Sequence, residues 1–365
     1  MDDIDAGIAL PIVGVLAGIV LGYVARVNRF CTLSALERHW YAGDSSGLRT
    51  WVLAAATALV ATQALAFAGI IDLSPSFYLA TDFALTGAVL GGLMFGFGMA
   101  LVGTCGFGAV VRLGGGSLRS LIVLIVLALA ALATQRGLLG QARILFVDNL
   151  ALDLSFAGDQ SLGSLASAIV GADLRIAVPV LVAGVLLVWV FRDADYRRQF
   201  AAILTGVTIG LVIAFGWLAT TIAAQHAFDP VQLEAGSFVV PVGDLLLQVI
   251  TFTGTYPDYG VGLVAGALIG AAIGAWHRKD TRWEACDDAR ELGRHLAGAT
   301  MMGVGGVIAM GCTVGQGITA VSTLALSAPI VFASIAVGAR MGLAWLLEGS
   351  ALAPFRRPGR GVPAE

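Results

Sequence analysis

Long apolar runs separated by short polar breaks recur from one end of this chain to the other, and no other feature limits its fold as tightly. A helix needs roughly 20 mostly apolar residues to cross about 30 Å of hydrocarbon. Runs of that order fall near 9–27, 50–71, 84–103, 118–135, 175–191, 200–222, 258–276, 295–311 and 325–347. Composition agrees, since 58% of the 365 residues are hydrophobic and 12% charged, whereas a soluble domain carries about 25% charged residues. The expected class is an all-α integral membrane protein with about nine transmembrane helices.

The opening MDDIDAGIALP has neither a basic n-region nor a small-residue cleavage site, so the first helix is expected to stay in the mature protein. Lys and Arg concentrate in cytoplasmic loops close to helix ends. Putting the acidic N-terminus outside places Arg26, Arg29, Arg38, Arg49, Arg112, Arg119, Arg192, Arg197 and Arg198 on the inner side. The segment HRKDTRWEACDDARELGR and a cytoplasmic tail at 351–365 with Arg356, Arg357 and Arg360 join them. Arg136, Arg143 and Arg175 run against the rule, diluted by Asp148, Asp153, Asp159 and Asp173. The expected location is a bacterial-type inner membrane, crossed many times. The net charge of −3 and the lack of like-charge blocks give no reason to expect nucleic acid as a partner. The partners expected are the lipid bilayer and a small solute.

An internal repeat divides the chain. GGLMFGFGMALVGTCGFGAVV from Gly91 aligns without gaps on GATMMGVGGVIAMGCTVGQGI from Gly298, so that Cys105 meets Cys312 and Gly108 meets Gly315. The segment from Leu16 aligns on that from Leu204, where Cys31 meets Ala219. In the orientation above, the two copies cross the membrane in opposite directions. The expected organisation is a first half at 1–135, a connector with an interfacial helix at 136–174, and an inverted second half at 175–350. Residues 236–257, apolar but rich in Gly, Pro and Thr, are expected to enter the membrane partway and return. Inverted repeats set a solute site near the midplane, where helices are interrupted. Gly103, Gly106, Gly108, Gly114–Gly116, Gly311, Gly315 and Gly317 are suitable interruptions. By contrast, Gly14, Gly18 and Gly22, with Gly266, Gly270 and Gly274, have the spacing of close helix packing.

The four cysteines fit neither a disulfide framework nor a CxxC pattern. A buried cysteine is usually a small inert hydrophobe. Cys31, Cys105 and Cys312 depart from that base rate because each follows a helix end and has hydrogen-bonding neighbours, among them Thr32, Thr104, Gly106, Thr313 and Gln316. Cys286 sits in a charged loop and reads as incidental. Arg112 reads first as an orientation anchor and second as an attractant for anions. His39, His226, His277 and His295 show no ligand spacing, so no metal or other cofactor is expected.

The segments NRFCTLSALER at 28–38, VGTCGFGAVVRLGGGSLRSL at 102–121 and MGCTVGQGITAVSTLALSAP at 310–329 resemble the YeeE/YedE family of sulfur-compound transporters. The resemblance implies an hourglass of inverted repeats with short re-entrant helices meeting at the midplane. It implies thiosulfate uptake, with Cys31, Cys105 and Cys312 as the pathway cysteines; Thr104, Gly106, Thr313, Gln316 and Arg112 are expected, from their own chemistry and position, as weaker substrate contacts. One departure is the Gly106–Phe107 pair, where a Thr or Ser followed by Gly is more usual; it puts the substrate in doubt more than the fold.

The residues allow that chemistry. A buried thiol stays neutral and can donate a hydrogen bond to an anionic sulfur without adding like charge. The expected function is a permease passing a small sulfur anion from thiol to thiol, with no covalent step and hence no enzyme. A membrane sulfur-handling or redox enzyme, forming a persulfide or disulfide, stands as the alternative, and a structural subunit as a third. Exact solute, energy source, oligomeric state and any cytosolic sulfur-carrier partner are open at this level.

Overall fold

The computed structural model describes residues 6–227, 230–251, 256–286 and 288–352, so the basic tail at Arg356, Arg357 and Arg360 lies outside the described residues. Helices occupy every long apolar run. The first half holds α1 (Ala6–Val27), α2 (Thr32–Ala42), α3 (Ser46–Phe67), α4 (Leu85–Val102), α5 (Gly106–Gly114) and α6 (Leu118–Gln135). The connector carries two short helices, α7 (Leu138–Phe146) and α8 (Leu162–Val170), and a two-residue strand, Leu152–Asp153, paired antiparallel with Asp82–Phe83. Then come α9 (Ala177–Phe191), α10 (Ala194–Arg197), α11 (Phe200–His226), α12 (Val240–Thr251), α13 (Tyr259–Arg278) and α14 (Ala289–Ile308). A π-helical turn at Gly315–Thr319 runs into the short α15 (Ala320–Ser322), and α16 (Ser327–Glu348) follows.

Seven of the described helical segments are long and apolar enough to cross a bilayer. The two other expected spans fall short of that criterion for different reasons. Ala177–Phe191 has 15 residues, and the first turns of Ala289–Ile308 carry Arg290, Glu291 and Arg294.

Helix α1 shows why this sequence needs lipid. Ile8, Ile12, Leu16 and Val20, spaced by four, all stand exposed on one face, a stripe that would be costly in water. Its glycines lie against α13: a Cβ at Gly18 would come within 2.3 Å of the Leu263 carbonyl oxygen, and one at Gly266 within 2.2 Å of that of Val15. Backbone therefore meets backbone, and dispersion between close helices replaces the hydrophobic drive that lipid removes.

The pairing of helices is reciprocal between halves. α1 packs on α13 and α11 on α3; α16 packs on α4 and α6 on α14. Exchanging α1 with α11, α3 with α13, α4 with α14 and α6 with α16 leaves this pattern unchanged. The α4–α14 pair, which maps onto itself, is drawn together through Gly91, Gly98, Gly298 and Gly305.

Candidate functional site

Each of the three candidate cysteines follows the same backbone device. Arg29 (φ 54), Gly103 (φ 77) and Met310 (φ 56) take left-handed conformations two residues before Cys31, Cys105 and Cys312. A left-handed residue ends a helix by turning the chain out of register. At two of the three the closing bond is the same: Phe30 N–H donates to the Ala25 carbonyl at 3.0 Å, and Gly311 N–H to that of Gly306 at 2.8 Å. Non-glycine residues adopt φ near +55° at a steric cost, so Arg29 and Met310 carry a conformation that the surrounding packing must hold.

The cysteine then begins the next helical element. Cys31 is the N-cap of α2 and Cys105 the N-cap of α5. The Cys105 Sγ accepts from Gly108 N–H at 3.3 Å, and the Cys312 Sγ from Gly315 N–H at 3.4 Å. These are repeat-equivalent bonds, each at the positive end of a short helical segment. Since the backbone uses the sulfur as acceptor, the S–H proton is left to donate elsewhere. Gly108 serves this geometry through its missing side chain, because a Cβ there would lie 2.2 Å from the Thr104 hydroxyl.

The fold brings these turns together. The Thr32 hydroxyl, next to Cys31, points at the Cys105 sulfur across 3.9 Å. Cys105 lies within electrostatic reach of both Cys31 and Cys312, with Thr313 beside it. Cys105 and Cys312 are 1% and 0% exposed. Cys31 is half-buried and lines a cavity of about 260 Å³ with Asn28, Arg29, Ser34 and Gln199. A larger cavity of about 400 Å³ is bounded by Gly311, the neighbour of Cys312, and by Ser237, and is walled by Arg136, Glu234, Asp244 and Asp258. Two water-accessible chambers thus approach one sealed segment that holds two thiols.

Among the weaker candidates, the threonines fit a solute best. Among the described residues, the buried hydroxyls of Thr104 and Thr313 make no well-formed hydrogen bond; the Thr313 hydroxyl lies beside the Cys105 sulfur. A buried unpaired hydroxyl is costly unless something else pairs with it. Gln316, in contrast, is fully engaged: its Nε2 donates to the carbonyls of Ala309 and Met310 at 3.0 and 3.1 Å, and its Oε1 accepts from Ser327 at 3.2 Å. That amide holds the left-handed turn at Met310. Gly106 and Gly108 do not interrupt a helix, since both lie within α5. Gly106 instead lets α5 approach the 236–239 segment, where a Cβ would meet the Phe238 carbonyl oxygen at 2.8 Å. Phe107 packs on Phe238 with the rings tilted by 46° and their centroids 4.6 Å apart. Arg112 donates to the Gly103 carbonyl at 2.9 Å and so braces the Cys105 turn.

Sequence reasoning missed Tyr78 and Ser237, which crowd Gly315 at 3.1 and 3.4 Å from where its Cβ would stand, and it missed Glu234. None belongs to a repeat or a periodic pattern, so no local signal marks them.

A model of the sulphur-transport family matches residues 28–341. The chain belongs to that family. It is 26% identical over 344 residues to the thiosulfate transporter TsuA of Spirochaeta thermophila, covering 92% of this chain and 98% of that protein. It is 24% identical over 316 residues to the thiosulfate transporter TsuA of Escherichia coli K12, covering 84% and 86%. The matched stretch includes all three cysteine turns and both chambers.

Proposed function

We propose that this family member imports a small sulfur-containing dianion, thiosulfate, through an hourglass of two inverted halves, 1–135 and 175–350, joined by 136–174. The observation that carries the reading is the shared turn that sets Cys31, Cys105 and Cys312 at helix starts between two chambers. The reciprocal pairing of α1 with α13 and α11 with α3 supports the inverted halves. The clustering of Arg26, Arg29, Arg112 and Arg119 at one end supports that end as cytoplasmic, in an inner membrane with the N-terminus outside.

The route runs from the 400 Å³ chamber to Cys312, then to Cys105, then to Cys31 and its own chamber. A dianion stripped of water needs donors along the whole way. The helix starts at Cys105 and Cys312 supply backbone dipoles, the neutral thiols supply S–H donors, and Thr104 and Thr313 supply unspent hydroxyls. Thiol bonds to sulfur are weak, which lets the solute leave as readily as it arrives. No covalent bond forms or breaks.

The deciding measurement is uptake of labelled thiosulfate into proteoliposomes. Cys105→Ala and Cys312→Ala should each reduce it to background while the protein keeps its melting temperature. Wild-type rates in both variants would remove the relay, and a substrate-derived mass adduct on any of the three cysteines would replace it with covalent sulfur transfer.

A further inference from the structure

The arginine-lined end contains a site beyond the three thiols. A cavity of about 350 Å³ opens there between the end of α1, the end of α5 and the segment after α13. It is a built feature. The segment after α13 is tied to the Gly115–Arg119 turn by three backbone bonds: Arg282 N–H to Gly115 O at 3.0 Å, Glu284 N–H to Gly116 O at 3.3 Å, and Arg119 N–H to Glu284 O at 3.3 Å. Gly116, at φ +101, and Gly115 make that turn possible. A Cβ on Gly115 would collide with the Arg26 guanidinium at 2.5 Å, and one on Gly116 with the Arg282 carbonyl oxygen at 2.6 Å.

Five guanidinium groups and two carboxylates line this cavity. The carboxylates are already taken: Asp280 by Arg26 at 3.0 Å, and Glu284 by Arg119 at 3.5 Å, with Glu291 a second partner of Arg119. Arg29, Arg112 and Arg282 have no acidic partner among the described residues. Three positive charges without an acidic partner among the described residues, around one cavity, suit an anion in charge and in size. Arg29 also lines the chamber of Cys31, so that residue borders both spaces.

We propose that this cavity is a second anion site, taking divalent tetrahedral oxyanions on Arg29, Arg112 and Arg282. It rests on the transport reading for its direction: the thiosulfate leaving Cys31 reaches these arginines next. Sulfate already present on that side has the same charge and shape and occupies the same fork of guanidiniums, so it holds back discharge of the transported anion. Arg112 adds a consequence. An oxyanion that draws its guanidinium away from the Gly103 carbonyl loosens the brace on the Cys105 turn, and an occupied release site thereby acts back on the sealed segment.

The test uses the purified full-length protein and two labelled probes, sulfate and thiosulfate, measured by equilibrium binding with the Arg29→Gln/Arg282→Gln pair as the variant. Losing two charge-assisted hydrogen bonds at about tenfold each predicts sulfate binding weaker by about a hundredfold. The Arg29→Lys/Arg282→Lys pair, which keeps the charge, should retain most of it, and all variants should melt as the wild type does. Thiosulfate binding lost in parallel identifies the site with release of the transported anion. In proteoliposomes preloaded with sulfate, initial thiosulfate uptake should slow for the wild type and not for the Gln pair. Sulfate binding changed less than about twofold by the Gln pair, or lost equally in the Lys pair, would overturn the site. Absence of thiosulfate uptake by the wild type, with sulfate binding still arginine-dependent, would instead overturn the transport reading and leave the site standing.

Discussion

The hydroxyls of Thr104 and Thr313 separate stability from function at single residues. Among the described residues both are buried without a well-formed hydrogen bond, so each costs folding free energy that a methyl group of the same shape would not. Thr104→Val and Thr313→Val are therefore expected to leave the melting temperature unchanged or raise it, a direction unusual for a buried substitution. If the hydroxyls solvate the passing anion, the same variants should lower thiosulfate uptake by about tenfold each, the worth of one hydrogen bond to a charged group. Gln316→Leu should behave in the opposite sense. Its amide is satisfied at Ala309, Met310 and Ser327, and removing it leaves two carbonyls unpaired, which costs about 2 kcal/mol or more and lowers the melting temperature. Uptake and thermal melting measured on the same three preparations distinguish the two roles. The sequence marks Thr104, Thr313 and Gln316 alike as polar neighbours of a cysteine; which of them is spent and which is free depends on where Met310 and Ser327 fall in space.

Helices in this protein are matched by backbone contact, and glycine substitutions should read that contact directly. At Gly266 a Cβ would sit 2.2 Å from the Val15 carbonyl, and at Gly18 2.3 Å from that of Leu263, where no flexible side chain can yield. Gly266→Val or Gly18→Val must push α1 from α13, with a cost beyond the usual 1–3 kcal/mol of overpacking. The expected outcome is loss of folded protein on detergent extraction and gel filtration. Gly184→Ala in α9 is the control: nothing lies within 4 Å of its Cβ position, and it should extract as the wild type does. This packing is legible from spacing alone, because small residues four apart make a stripe wherever the partner helix lies. Interruption is less legible. Gly103, Gly116 and Gly311 do take positive φ, yet Gly106 and Gly108 sit inside α5, and Arg29 and Met310 supply left-handed turns without being glycine. Composition shows where a chain is able to turn, and tertiary packing selects where it does. The same holds for α11, which passes unbroken from Phe200 to His226 through Ala219, the position that aligns with Cys31.

At the scale of the whole molecule, the charge of the 400 Å³ chamber should make uptake depend on pH. Glu234 lies in the loop before α12, outside the spans, and forms part of the chamber wall. Burial, reinforced by the nearby Asp258, pushes its carboxyl up to about 8, although it accepts a bond from Gly260 N–H at 2.8 Å. The other charges facing that space are Asp258 at the start of α13, Asp244 on α12, and Arg136 and Arg143 beyond α6, with Arg136 bridged to Asp244 at 3.2 Å. Tyr78 and Tyr259 face the same carboxyl. Below pH 8 Glu234 is mostly protonated, and the chamber spares an entering dianion one like charge. The initial rate should therefore fall as external pH rises through about 8, and Glu234→Gln, which keeps an acceptor for Gly260, should hold the low-pH rate across that range. Linkage fixes the companion sign. A carboxyl raised from 4.5 to about 8 contributes stability that is present below its unfolded value and lost as pH rises through its folded one. The melting temperature should thus decline with pH across that window in the wild type and decline less in Glu234→Gln. An identical fall in uptake for both proteins would take Glu234 out of the chamber's electrostatics and assign the pH dependence to another group.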